Sequence, residues 1–227
     1  MADLHIFGDS YSVDWDIHRQ KKPWTGQSKY YEWLGRTPEH FQNIIKKEFN
    51  LTTIHNYAIG GHDNYSILES IGRYIKKIGK DDFVCIGWSD ISRHRMVYDN
   101  QWVKLLGGMH TVPARFKDDV PKEFLYQCLD RDSDLTKNEV KAWMNILTLV
   151  LSKNTIFWSP FGIEGEHSVP WIIPNFVYPR ISQECDIADE HFGEVGHIKV
   201  GKWLVEYFKN NPYHNSKDRL YLGETLI

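Results

Sequence analysis

The stretch Leu4-His5-Ile6-Phe7-Gly8-Asp9-Ser10-Tyr11 decides the reading of the fold, because a short apolar run stops abruptly at a glycine-led turn. The pattern returns twice further on. Residues 52–55 form the next strand, followed by Asn56-Tyr57-Ala58-Ile59-Gly60-Gly61, and Phe83-Val84-Cys85-Ile86 forms the third, followed by Gly87-Trp88-Ser89-Asp90. Between these runs the period changes to that of a helix. One helix is expected over 30–49, carrying Trp33, Leu34, Phe41, Ile44 and Ile45, with Gly35 and Pro38 as points of breakage. Another is expected over 64–78, with Ile67, Leu68, Ile71, Ile75 and Ile78 on one face.

Further along, residues 135–151 read as a helix with Val140, Trp143, Met144, Leu147 and Val150 inward, and 154–158 read as the fourth strand. Trp171-Ile172-Ile173 is a candidate fifth strand. The final helix is expected over 192–208, with Val195, Ile198, Leu204, Val205 and Phe208 available for burial. Residues 92–134 lose periodicity, with Gly107-Gly108, Pro113 and Pro121 as turn signals, and read as an insertion or lid. Strands alternating with helices imply parallel pairing through crossover connections. The expected fold is α/β, a three-layer α/β/α sandwich on a parallel sheet of about five strands. It makes one domain over 1–210, with a polar tail over 211–227. In such sheets ligands bind at the carboxyl ends of the strands, where the three glycine-containing loops converge.

Composition narrows the function. The 227 residues carry 27 Lys+Arg against 30 Asp+Glu, a formal charge of −3. Neither a nucleic-acid partner nor a polybasic membrane binder is expected from that balance. Cys85, Cys128 and Cys185 lack a CxxC spacing and read as reduced thiols. The apolar strand begins at once after Met1, with no signal-peptide pattern and no run long enough to span a membrane, so a cytoplasmic location is expected, a virion component being the alternative. No GxGxxG follows the first strand and no Walker lysine is present, so no nucleotide cofactor is expected. His62-Asp63 and His94 lack metal-ligand spacing, so no metal is expected.

The chemistry is that of a serine at a sharp turn. A hydroxyl is a weak nucleophile until a base within hydrogen-bond reach takes its proton, and that base needs an orienting group. Asp189-Glu190-His191, just ahead of the last helix, offers the pair. Glycines in the second loop allow backbone N–H groups to approach an oxyanion.

Gly8-Asp9-Ser10-Tyr11, Asn56-x-Ala58-x-Gly60-Gly61, Gly87-x-Ser89-Asp90, Asp189-x-His191-Phe192 and Gly196-His197 together resemble the SGNH/GDSL hydrolases, a family of esterases and lipases with a flavodoxin-like fold. The resemblance spans nearly the whole chain. It implies Ser10 as nucleophile and as one oxyanion donor through its own N–H, Gly61 as the second donor, His191 as general base and Asp189 as its orienting carboxylate. Ser89 stands where the family has an asparagine oxyanion donor and is expected as the third donor through its hydroxyl, with the Trp88 backbone or Arg93 as alternative donors. Asp189 lies two residues before His191 rather than the more common three, and Phe192 stands where related variants have proline. Asp186 is the alternative carboxylate.

The implied activity is a carboxylic ester hydrolase, or an acyltransferase using the same residues, acting on a small-molecule or glycan ester. The chain is also rich in aromatic residues, at 14%. Trp15, Trp24, Tyr30, Tyr31, Trp88, Trp102 and Trp171 fall near the crevice loops, where their rings either stack on sugar faces or pack the insertion against the sheet. Trp15, Trp88 and Arg93 are candidate substrate contacts, Arg93 for an anionic group or as one half of a salt bridge. Asp9 reads as structural, accepting backbone N–H groups in its turn, and His197 reads as a packing histidine. The rival class is a non-catalytic SGNH-fold binding or virion protein, which the serine at position 89 favours. A domain binding a small phosphate ligand has only the glycine turns behind it.

Overall fold

The computed structural model describes residues 2–16, 23–90, 93–98, 101–106, 133–160 and 179–210. Six strands occur among them: β1 (Leu4–Phe7), β2 (Ile54–Asn56), β3 (Phe83–Gly87), β4 (Arg93–Tyr98), β5 (Gln101–Leu106) and β6 (Asn154–Trp158). Four of these form one parallel sheet in the order β2-β1-β3-β6, in which Ile6 sits between Asn56 and Cys85, and Cys85 sits beside Ile156. The helices are α1 (Thr25–Leu34), α2 (Phe41–Glu48), α3 (Asn64–Tyr74), α4 (Ser133–Val150), α5 (Ile181–Glu184) and α6 (Glu194–Lys209).

Strand side chains alternate between faces, so each strand supplies two cores. Leu4, Ile6, Cys85, Ile156 and Trp158 pack with Phe41 and Ile45 of α2 and with Val200, Leu204 and Phe208 of α6. On the other face Phe7, Val84, Ile86 and Phe157 pack with Ile67 and Ile71 of α3 and with Val140, Met144 and Leu147 of α4. Burial on both faces is why these runs are almost wholly apolar and why helices must cover each side. Truncating a side chain as enclosed as Ile6 to alanine costs about 2–5 kcal/mol.

The helix expected over 30–49 is two helices. Gly35 takes a left-handed conformation with φ 71° and donates to Tyr31 O at 2.9 Å, which ends α1 before Pro38 is reached. The helix expected over 64–78 ends at Tyr74 and tightens into a 3₁₀ turn, Ile75–Lys77. Asp63 caps its start, Oδ1 accepting from Ser66 N at 2.7 Å, so this carboxylate is spent on the helix end. Part of the expected insertion is regular: β4 and β5 form an antiparallel ribbon, with Tyr98 paired to Gln101 and Arg93 to Leu106. The candidate fifth strand at 171–173 and the tail from 211 lie outside the described residues, as does Cys128. Cys85 and Cys185 are free thiols. Among the described residues, no helix is long and apolar enough to cross a membrane.

Candidate active site

The site is built where β1, β2 and β3 end. The chain leaves β1 through Gly8, where an added Cβ would overlap the Ser12 hydroxyl and meet Gly87 O at 3.0 Å, so only glycine permits this approach. Ser12 N then donates to Asp9 O at 3.0 Å, closing a tight turn with Ser10 at its corner. Ser10 is 9% exposed, and neither its hydroxyl nor its N–H hydrogen bonds to another described residue.

The loop after β2 lies against this corner. A Cβ on Gly60 would stand 3.8 Å from that of Ser10. Gly61 has φ 76° and His62 N donates to Ile59 O at 3.2 Å, a turn whose third residue needs a left-handed backbone. Asn56 anchors the loop: its Nδ2 donates to Ser12 O at 2.8 Å and to Gln42 Oε1 at 2.9 Å, and its Oδ1 accepts from Ala58 N at 2.9 Å. The N–H groups of Gly60 and Gly61, like that of Ser10, make no hydrogen bond among the described residues. Among the described residues, three unspent backbone donors therefore belong to two adjoining turns, and backbone N–H groups are donors of the kind an oxyanion needs.

The loop after β3 does something else. Ser89 Oγ donates to Asp9 Oδ2 at 2.8 Å, and Arg93 Nη1 reaches the same oxygen at 3.1 Å. Tyr11 N donates to Asp9 Oδ1 at 3.1 Å. Burial pushes the Asp9 carboxyl up from its ordinary range, against the pull of Arg93, Ser89 and the Tyr11 N–H. Asn64 clasps the Ser89 backbone, accepting from its N–H at 2.7 Å and donating to its carbonyl at 3.2 Å. A hydroxyl has one proton to give. Ser89 gives it to Asp9, so its expected role as an oxyanion donor is not met in this arrangement. The Trp88 N–H is also committed, to Trp158 O at 2.7 Å.

Asp189 and His191 are brought together by α5 and the loop before α6. Ile181 N donates to His191 O at 2.9 Å and Ser182 N to Asp189 O at 3.1 Å, so the first turn of α5 holds the backbone of both residues. His191 Nδ1 and Asp189 Oδ1 are 2.7 Å apart, and His191 N donates to that oxygen at 2.9 Å. Asp189 Oδ2 accepts from Trp24 Nε1 at 2.8 Å. Burial raises the Asp189 carboxyl, but the hydrogen bonds from His191 and Trp24 outweigh it and leave the group below its ordinary value. A two-residue spacing thus suffices to pair the carboxylate with the imidazole. Asp186 takes no part in the pair.

Tyr11 links the two halves. Its ring lies 4.8 Å from that of His191 and 5.0 Å from that of Phe192, and its hydroxyl donates to Glu190 O at 3.3 Å. The turn that carries Ser10 and the loop that carries Asp189 and His191 therefore meet at one end of the sheet. No hydrogen bond joins Ser10 to His191 in this structure. Such bonds are often formed only once substrate is bound.

No protein-family model matches the chain, and no curated protein matches it.

Two expected substrate contacts are core residues. Trp15 is 1% exposed and packs edge-on to Trp24, Tyr30 and His197, while Trp88 stacks on Phe157 within the second core. Neither offers a face to a ligand. Tyr30 is equally enclosed, accepting from Glu194 N at 2.8 Å and donating to Glu184, whose other oxygen accepts from Val195 N at 3.1 Å, so the two side chains together cap α6. Arg93 is the salt-bridge half of its two readings. The Trp102 side chain and Trp171 lie outside the described residues. His197 is buried as expected, with both ring nitrogens unpartnered among the described residues. A cavity of about 470 Å³ lies along Asn56–Ile59 and α3, lined by Tyr57, His62, Glu69, Arg73 and Tyr74, and the Ser10, Asp189 and His191 side chains are not in its wall.

Asn64 is absent from the sequence expectations, and Trp24 stands in them only as a crevice ring, because its partner Asp189 is 165 positions away. Asn64 was visible only as a polar residue at a helix start.

Proposed function

We propose that the chain is a serine-dependent carboxylic ester hydrolase of the SGNH/GDSL type. One observation carries the proposal: an unengaged serine hydroxyl with three unspent backbone N–H donors meets, through Tyr11, a histidine whose Nδ1 is held by a carboxylate at 2.7 Å. Ser10 Oγ attacks the ester carbonyl while His191 Nε2 takes its proton. The N–H groups of Ser10 and Gly61 receive the developing oxyanion, and Gly60 extends that cradle. Asp189 stabilises the imidazolium, which then protonates the departing alcohol. Water, activated by the same histidine, releases the acyl group. Transfer to another alcohol would use the same residues, with the acceptor replacing water.

The substrate class stops at a carboxylic ester. Trp15 and Trp88 were two of the rings that pointed to O-acylated carbohydrate, and both are consumed in the core. The missing Ser10–His191 hydrogen bond and the diversion of Ser89 to Asp9 favour a second reading, a non-catalytic protein that keeps the fold as a binding surface. Hydrolysis of p-nitrophenyl acetate separates the two. Turnover by the wild type that disappears in both Ser10→Ala and His191→Ala supports the esterase, and a wild-type rate equal to that of Ser10→Ala supports the binding protein.

A further inference from the structure

We propose that Trp24 is a positioning residue for the acid–base pair, fixing Asp189 so that the neutral His191 ring keeps its proton on Nδ1. The catalytic consequence rests on the esterase reading; the positioning itself does not. Asp189 Oδ1 is occupied from one side by the His191 ring and backbone, at 2.7 and 2.9 Å. Were Oδ2 unheld, the carboxylate would be free to turn about its Cβ–Cγ bond and swing its oxygen away from the ring nitrogen. Trp24 Nε1 holds Oδ2 at 2.8 Å and removes that freedom.

Three further features fit this role. The Trp24 ring lies 4.7 Å from the imidazole it serves, so one side chain contacts both members of the pair. Trp15 packs edge-on against Trp24 at 5.5 Å and 89°, which anchors the indole to the core. Gly26 lets the start of α1 come close enough, because a Cβ there would overlap Asp189 Oδ2. The choice of donor also matters chemically. An indole N–H orients a carboxylate without cancelling its charge, whereas a lysine or arginine would neutralise the charge that the imidazolium needs in the transition state.

An unconstrained neutral imidazole prefers its proton on Nε2, the atom that must be bare to accept from a serine. The tautomer of His191 is therefore a direct readout that needs no substrate. The test measures ring ¹⁵N shifts of neutral His191, with kcat and KM for p-nitrophenyl acetate, in the wild type, in Trp24→Phe and in protein carrying benzothienylalanine at position 24. The last keeps the bicyclic ring and lacks the N–H. Both replacements are expected to shift His191 toward the Nε2–H form and to lower kcat about 10- to 100-fold, with KM within about twofold. Gly26→Ala, which displaces Asp189 Oδ2 while keeping the indole, is expected to shift the tautomer in the same direction. An unchanged tautomer in the benzothienylalanine protein overturns the proposal, including the case in which kcat falls, since that outcome assigns Trp24 to packing alone. If the wild type lacks turnover, the esterase reading fails while the tautomer shift still decides the role of Trp24.

Discussion

Two carboxylates stand at the carboxyl end of the sheet, and the structure treats them in opposite ways. Asp9, on the turn after β1, is 1% exposed and ringed by an arginine, a hydroxyl and a backbone N–H, with a carboxyl pushed up by burial. Asp189, on the loop before α6, keeps one oxygen on an imidazole and one on an indole, and its carboxyl is held down. The first ties together the ends of β1 and β3 and the start of the ribbon. The second presents its charge to a single titratable ring. The contrast lies in the partners: a cation, a hydroxyl and a backbone N–H quench the Asp9 charge and make it a tie between turns, whereas an indole N–H and an imidazole leave the Asp189 charge in place.

The sharpest way to break this comparison is to convert each carboxylate to its amide. Asp189→Asn is expected to lower kcat for p-nitrophenyl acetate about 10⁴-fold, by presenting the wrong group to His191 Nδ1, with the melting temperature nearly unchanged. Asp9→Asn is expected to do the reverse, lowering the melting temperature while kcat in the surviving folded protein stays within about tenfold. Steady-state kinetics and thermal melts on the same preparations check both, and equal losses of activity would erase the distinction.

Removing the arginine isolates the structural carboxylate. Arg93→Met leaves Asp9 buried without its cation, and urea unfolding is expected to show a loss of about 3–5 kcal/mol. A change below about 1 kcal/mol would mean that Asp9 does not depend on the pair. Ser89 offers a finer cut. Because its hydroxyl serves Asp9, Ser89→Ala is expected to cost about 1–3 kcal/mol of stability and less than tenfold in kcat. A fall of about 10² to 10³ in kcat with stability intact would return Ser89 to the oxyanion hole.

Two buried histidines near the loop of Asp189 and His191 add a pH dependence. The His40 and His197 rings lie tilted with centroids 4.3 Å apart, and burial drives His40 down to about 3 and holds His197 well below its ordinary 6.5. Both stay neutral in the folded protein while the unfolded chain takes up protons below about pH 6.5. Their contribution to stability is thus full above that pH and is lost as pH falls, at up to about 1.4 kcal/mol per pH unit for each ring. Asp189, held below 3.8, adds a loss in the same direction at still lower pH. Chemical denaturation between pH 7 and pH 5 is expected to show this slope, to which His5, also pushed down by burial, adds, and His197→Phe is expected to reduce it. A flat profile would mean that the rings find proton acceptors.

Much of the fold was legible because its signals are local. The runs 4–7, 83–86 and 154–158 are mostly apolar, with His5, Asn154 and Thr155 as the exceptions, and β1 and β3 lead directly into glycine-containing turns, as expected of strands buried on both faces. The break at Gly35 and Pro38 was visible, but its consequence, two helices rather than one, depended on α2 packing against α6. The ribbon was hidden because Arg93, Arg95 and Lys104 interrupt its apolar residues, although two six-residue runs separated only by Asp99-Asn100 carried a hairpin signal. In the site, Ser10, Asp189 and His191 stood out by residue type and order. Their partners did not. Ser89 reads as a donor to the crevice until the position of Asp9 is known, and Trp15 and Trp88 read as crevice rings until the packing places them in the core. The Ser89–Asp9 and Trp24–Asp189 hydrogen bonds join positions 80 and 165 apart and leave no trace in local pattern.

The central claim is that Ser10 is a nucleophile activated by a histidine that Asp189 holds. Incubation with a fluorophosphonate, followed by intact mass and peptide mapping, tests it most directly. The account predicts one adduct per chain, on Ser10, formed at a rate that collapses in His191→Ala and Asp189→Asn. No adduct on the folded wild-type protein, or an adduct that persists in Ser10→Ala, would contradict it.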